Sequence, residues 1–270
     1  MLGLGTKISV DKKPLTAKYK SKNHIAFDGV NDYGNLPPGD HFYDAVGTTG
    51  GTIAMWIRSS DLFPPNNNNT KTIFGGYHQA GVTVQGHYLQ TRRKSNKNEL
   101  YWFRQKLVFS PFSINSYINH YCAPPAGQQA DDTWHHIALT LKPSGGNWDP
   151  KLYWNGSELT LTGTNTAVTD LSDSNMPLTM TRYNTAYDDF DINEVVTYTT
   201  ALNATQIQFI YNQGVEGFDA TRAAGGNTMT ADLFSWHKMG DVEEPNNIEP
   251  DSSGNDHDMT LVNGPVIETT

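Results

Sequence analysis

Cysteine is almost missing from this chain of 270 residues. Cys122 stands alone, so no disulfide can close within one molecule and no zinc or redox motif built on paired cysteines can form. Long apolar runs are also missing: the longest, Ile53 to Ile57, falls far short of the ~18 residues a membrane-spanning helix needs. The opening MLGLGTKISVDKK has no basic stretch ahead of an apolar one and no small-residue cleavage site, so no secretion signal is expected. Charged residues make up only 17% of the chain, yet the 37% apolar share is too high for a disordered one. Present in quantity are 24 Gly and 14 Pro, spread along the chain, and 11% aromatics. That composition favours many short strands with frequent turns, and it excludes collagen, coiled coil and helical bundle. Stability has to come from an ordinary hydrophobic core.

Alternating or apolar stretches recur at His24 to Phe27, Thr52 to Arg58, Thr72 to Tyr77, Leu100 to Phe103, His135 to Leu141, Lys151 to Trp154, Leu178 to Thr181 and Ile192 to Tyr198. Pro-Pro, Gly-Gly and Asn-rich pieces separate them, as in an antiparallel sandwich or barrel. Asn155-Gly156 signals a type I′ turn, and Gly29 and Gly34 suit turns or bulges. One helix is announced. Asn203 caps it, Gln206 completes a capping box, Ile207, Ile210 and Tyr211 form its apolar stripe, and Gly214 stops it. Phe109 to Gln129, with no clean period, reads as a long and functional loop.

Charge divides the chain. Residues 1–22 carry Lys7, Lys12, Lys13, Lys18, Lys20 and Lys22 against Asp11 alone, while residues 226–270 set nine carboxylates against Lys238. The organisation expected is a basic arm (1–22), a core domain (23–216), and a linker with acidic C-terminal strands (217–270). Those strands either complete the sandwich or pair with a neighbouring copy. The arm and tail are candidate contacts to charged partners or to copies of the chain.

FDGVNDYGNLP from Phe27 to Pro37, GTIAMWI from Gly51, TWHHIALT from Thr133 with LYWNGSEL from Leu152, and DINEVVTYTTALNATQIQFIYNQG from Asp191 follow one another in a recurring order. Together they resemble the laminin G-like, or concanavalin A-like, lectin and glucanase superfamily. The resemblance implies an all-β antiparallel jelly-roll sandwich with one short closing helix. Trp56, Trp134, Tyr153 and Trp154 would then fill the space between its sheets. Less specifically, the MLGLG start with a lone module of this kind resembles structural proteins of marine bacteriophages.

For chemistry, Asp189-x-Asp191-x-x-Glu194 resembles the E-x-D-x-x-E strand of glucan hydrolases. The shorter Asp189 would misplace a nucleophile that must sit ~5–5.5 Å from the acid. Glu194 is better read as part of the strand before the closing helix, so no enzymatic activity is expected. Asp28, Asp188, Asp191 and Asn193, with Asn31 and Asp32 near the first, offer hard oxygen ligands for a structural calcium, as the resemblance implies. His135 and His136 point to opposite faces of a strand and cannot chelate one ion together. Arg92-Arg93-Lys94 reads as a solvated hairpin tip, and neither nucleic acid nor membrane insertion is expected. Tyr77, His78, Tyr117, Tyr121 and Trp148 are the candidate sugar-binding aromatics. The reading is a non-enzymatic structural or attachment protein on a virion surface, meeting other virion proteins, copies of itself or a cell-surface glycan. Its alternative is a carbohydrate-binding module of an extracellular or cell-surface protein, with a glucan hydrolase third.

Overall fold

The computed structural model describes residues 21–46, 49–80, 83–109, 112–165, 176–220, 223–224, 227–241 and 247–269. Apart from Ser21 and Lys22, the basic arm of residues 1–22 lies outside them. The strands run in chain order as β1 (Asn23–Ala26), β2 (Tyr33–Leu36), β3 (Gly51–Arg58), β4 (Thr70–Ala80), β5 (Thr83–Lys94), β6 (Lys97–Phe109) and β7 (Phe112–Cys122). Then come β8 (His135–Ser144), β9 (Asn147–Trp154), β10 (Ser157–Glu158), β11 (Thr162–Asn165), β12 (Leu178–Met180), β13 (Arg182–Tyr183), β14 (Ala186–Tyr187) and β15 (Asp191–Tyr198). Beyond these lie β16 (Ala223–Ala224), β17 (Asn227–Thr228), β18 (Leu233–His237), β19 (Ile248–Glu249), β20 (Met259–Val262) and β21 (Val266–Thr269).

Two antiparallel sheets form the sandwich. The first runs β10-β9-β8-β3-β15-β1-β21 with β18 also on β15, and the second runs β11-β7-β6-β5-β4-β12-β2-β20-β19. Between them alternate side chains interdigitate: Ile53, Met55 and Ile57 of β3 and Leu139 and Leu141 of β8 meet Phe74, Leu89, Leu100, Trp102, Leu178 and Met180 of the second sheet. The acidic tail is part of this sandwich. β18 and β21 join the first sheet, and β20 pairs β2 in the second.

The outer face of the first sheet is closed. Helix α2 (Ala204–Gln213; α1 is the short Phe42–Val46) lies on it, with Ile207 and Ile210 buried against Ala54, Ala138, Tyr153, Val196 and Trp236. Asn203 and Gln206 form the capping box, and Gly214 follows at φ 73°. Tyr211 is only half-buried, stacked on Trp56 at 5.7 Å. This placement corrects the expectation for the aromatic strand residues: Trp154 lies between the sheets, but Trp56 and Tyr153 face the helix layer.

Three further expectations change. Phe112–Cys122 is a strand, paired along β6, rather than a loop. Its period is obscured because Ile118 and Cys122 face the core while Asn119 and Tyr121 face the other way, among aromatics. Gly34 makes no turn. A Cβ there would sit 2.6 Å from Met259 Sδ, so the glycine permits close packing between β2, β12 and β20. Trp148 is buried in the core rather than exposed.

Candidate functional site

The outer face of the second sheet carries a different load. Strict alternation puts Trp102 inward, so Tyr101 and Phe103 must point outward. Register does the same for their neighbours: Tyr88 lies opposite Phe103, and Tyr121 opposite Tyr101. The rings form a continuous platform. Tyr88 and Phe103 stack at 5.3 Å, Tyr101 and Phe103 at 6.0 Å, and Tyr88 meets Tyr101 at 5.5 Å. All are half-buried, an unusual state for so many large rings on one sheet face.

Polar groups border the platform. Arg92, which follows Gln90 on the same face of β5, lies over Tyr101 at 3.9 Å and over Tyr121 at 5.2 Å, and its guanidinium pairs with Glu99 at 2.7 Å. It is therefore not a solvated hairpin tip. The tip itself is the Ser95-Asn96 turn, with φ of 51° and 62°. Gln90 donates to Thr72 Oγ1 at 3.1 Å. Burial and the adjacent Tyr101 push the Tyr88 phenol upward, so it remains a neutral donor.

On the other side the hairpin β13–β14 folds over the sheet. Tyr183 fits above Gly75 and Gly86; a Cβ on Gly86 would stand 2.7 Å from its hydroxyl. Its ring meets Tyr88 at 4.9 Å and Tyr77 at 6.1 Å. Beyond it lies a cleft of about 110 Å³ lined by Asn35, Tyr77, Pro177, Thr179, Arg182 and Asn184. A larger cavity of about 490 Å³ opens at the sandwich edge between His120, Asp149, Lys151, Glu158 and Leu161. There Lys151 and Glu158 are engaged with each other at 3.0 Å, and the lining offers no aromatic platform comparable to that of the sheet face.

Of the aromatics named from sequence, Tyr77 and Tyr121 belong to this face. The side chain of Tyr117 is outside those described, and Trp148 is in the core. Tyr88, Tyr101, Phe103, Tyr183 and Arg182 escaped the sequence reading. The alternation Tyr101-Trp102-Phe103 was the available signal, but only register shows which rings share a face.

The proposed calcium ligands are engaged one at a time. Asp28 accepts from the Val30 amide at 2.8 Å, which holds its carboxyl below the usual range, and Asp188 accepts from the Thr72 amide at 2.7 Å. Asp191 pairs with Arg58 at 2.6 Å, and Asn193 donates to Ser21 Oγ at 2.9 Å. Among the described residues no group of three or more His, Cys, Asp or Glu is placed to hold a metal.

The carboxylates of the glucanase-like strand are likewise dispersed. Asp189 pairs with Lys71 at 2.8 Å. Glu194 sits at a break in the β15–β3 register with φ 52°, is 1% exposed, and accepts from Trp236 Nε1. Its carboxyl points away from water, and burial raises its pKa well above the usual carboxylate value. His135 and His136 occupy opposite faces of β8. His135 stacks on Trp154 at 4.7 Å, while His136 lies by Trp56 and Tyr211, its pKa lowered by burial to about 3.

Residues 28–208 match the family model of the concanavalin A-like lectin/glucanases superfamily. Among solved structures, a candidate carbohydrate-binding protein from Bacteroides ovatus shares the fold with a TM-score of 0.55 at 16% identity, over 93% of this chain and 60% of that one. This chain therefore spans only 60% of that protein's length. A heptameric SAP-like pentraxin from Limulus polyphemus matches with a TM-score of 0.46 at 13% identity, over 93% of this chain and 96% of its own. The CBM40 module of a Ruminococcus gnavus sialidase, bound to sialyllactose, matches with a TM-score of 0.44 at 10% identity, over 71% and 99%. No curated protein matches the chain in sequence.

Proposed function

The chain belongs to the concanavalin A-like lectin/glucanase superfamily, and from that premise we propose that it binds carbohydrate across the outer face of its second sheet. The observation that carries this reading is the platform of Tyr88, Tyr101 and Phe103, bordered by Arg92, Glu99 and Gln90. A pyranose ring presents an apolar C–H face and a rim of hydroxyls. A flat aromatic surface with hydrogen-bonding groups at its margin complements both. The first sheet offers no equivalent, because α2 and the C-terminal segment cover it.

Two findings support the reading from outside the site: membership of a lectin-containing superfamily, and the fold shared with the Bacteroides ovatus protein, itself described as a carbohydrate-binding candidate. A role outside the cell or at a surface follows from it. The virion attachment role has no comparable support in fold or relatives. For hydrolysis, Glu194 lacks an open groove, since its carboxyl is enclosed beneath Trp236.

The test is glycan-array screening of the purified protein followed by calorimetry on any hit. Tyr101→Ala and Phe103→Ala should each weaken binding about ten-fold while leaving the circular dichroism spectrum unchanged. Absence of any glycan hit, or a hit indifferent to both substitutions, would overturn the proposal.

A further inference from the structure

The cleft beside Tyr183 contains a cation whose surroundings differ from those of Arg58 and Arg92. Arg58 is paired with Asp191 and Arg92 with Glu99. Arg182 lies over the rings of Tyr33 at 4.3 Å and Tyr187 at 5.4 Å, and its Nε donates to the Asn184 carbonyl at 2.8 Å. These contacts hold the guanidinium in place and partly desolvate it, but they leave its charge unmatched. No carboxylate among the described residues lies within ion-pair distance of it. Asn35 and Asn184 line the same cleft, and neither side-chain amide is engaged among the described residues.

Resting on the carbohydrate-binding reading above, we infer that this cleft takes the anionic substituent, carboxylate or sulfate, of an acidic saccharide, with Arg182 as its counter-ion. A guanidinium offers two parallel N–H donors that fit either oxyanion, and its hold strengthens where water is partly excluded. The two free amides supply further donors. At about 110 Å³ the cleft is well below the roughly 300–1,000 Å³ usual for a pocket that holds a whole small molecule. That suits a ring substituent rather than a whole sugar. The ring bearing it would rest toward Tyr77, and Tyr183 links Tyr77 to the Tyr88 platform. One chain of sugars could thus engage both features. The protein's net charge of −9 repels anions at long range, so a preference for them has to arise locally, at Arg182.

The experiment is calorimetry on the full chain at fixed ionic strength with four probes: trigalacturonic acid, its neutral methyl ester, a sulfated galactose oligosaccharide and its desulfated form. One acidic probe at least should bind about ten-fold tighter than its neutral counterpart. The source of the oxyanion is read from which pair shows the difference. Arg182→Gln should remove the preference while sparing neutral binding. Asn184→Asp, which leaves Arg182 intact but adds a carboxylate to the rim, should remove it too. Equal binding of acidic and neutral probes by the wild-type protein, or a preference that survives Arg182→Gln, overturns this inference and leaves the carbohydrate reading standing. Failure of every probe, alongside an empty glycan array, overturns both.

Discussion

Trp236 on β18 donates its indole N–H to Oε2 of Glu194 at 2.6 Å, tying the C-terminal segment to the irregular turn of β15. Glu194 is enclosed there, and its other oxygen, Oε1, has no hydrogen-bond partner among the described residues. Burial is the main cause of its raised pKa, with the indole hydrogen bond acting against it. The stability it contributes is therefore fully present at low pH and lost as pH rises through the folded-state value. Glu194→Gln keeps an acceptor for Trp236 without an ionisable group. It should match or exceed wild-type stability at pH 8, with a flatter pH dependence. Glu194→Ala removes the acceptor and should cost about 1–3 kcal/mol. Urea denaturation of both variants at pH 5 and pH 8 checks this, and equal losses for Gln and Ala would contradict it.

Asp28 and Asp32 form a carboxyl pair at the turn after β1. The Asp32 carboxylate accepts from the Asp28 amide at 2.9 Å, and burial, followed by the neighbouring Asp28 side chain, pushes its pKa up to about 6. An acid with a raised folded-state pKa stabilises the fold below its unfolded value, and that contribution disappears as pH climbs through about 6. Asp32→Asn should retain the acceptor, flatten the stability profile between about pH 4 and 6, and raise the melting temperature at pH 7. Thermal melts across that range decide it; an unchanged slope would mean that Asp32 titrates as an ordinary surface acid.

Calcium offers a third test. Asp28, Asp188, Asp191 and Asn193 each have a separate protein partner, so the melting temperature should be the same in EDTA as in millimolar calcium. A rise of several degrees in calcium would show that these side chains exchange their present partners for a metal.

Much of this architecture was legible in the sequence, for identifiable reasons. The closing helix declares itself through local chemistry: Asn203, Gln206 and Gly214 act within a few residues of one another, and their roles do not depend on tertiary context. The Asn155-Gly156 turn, with φ of 48° and 77°, is equally local. The candidate site is not. Tyr88, Phe103 and Tyr183 come from three strands, and their assembly depends on register and on a hairpin folding over Gly75 and Gly86. The place of Glu194 in the strand before the helix is legible in its motif. Its left-handed backbone could not have been foreseen, because nothing in DINEVV marks a bulge. Trp148 misled for a related reason. The Gly145-Gly146 turn beside it suggested exposure, but β9 carries it back into the core.

The pairing of β1 with β21, and of β2 with β20, joins opposite ends of the described chain: Asn23 lies opposite Thr269, and Tyr33 opposite Val262. During synthesis, β1 and β2 therefore wait for strands far later in the sequence before those edges are covered. Closing so large a loop carries its entropy penalty before any contact rewards it, which predisposes such a chain to slow folding. Until β20 and β21 arrive, β1 and β2 expose unpaired backbone to any neighbouring nascent chain. A ribosome-stalled fragment ending before Leu233 should accordingly be sensitive to protease, although it carries all of the residues that the family model matches.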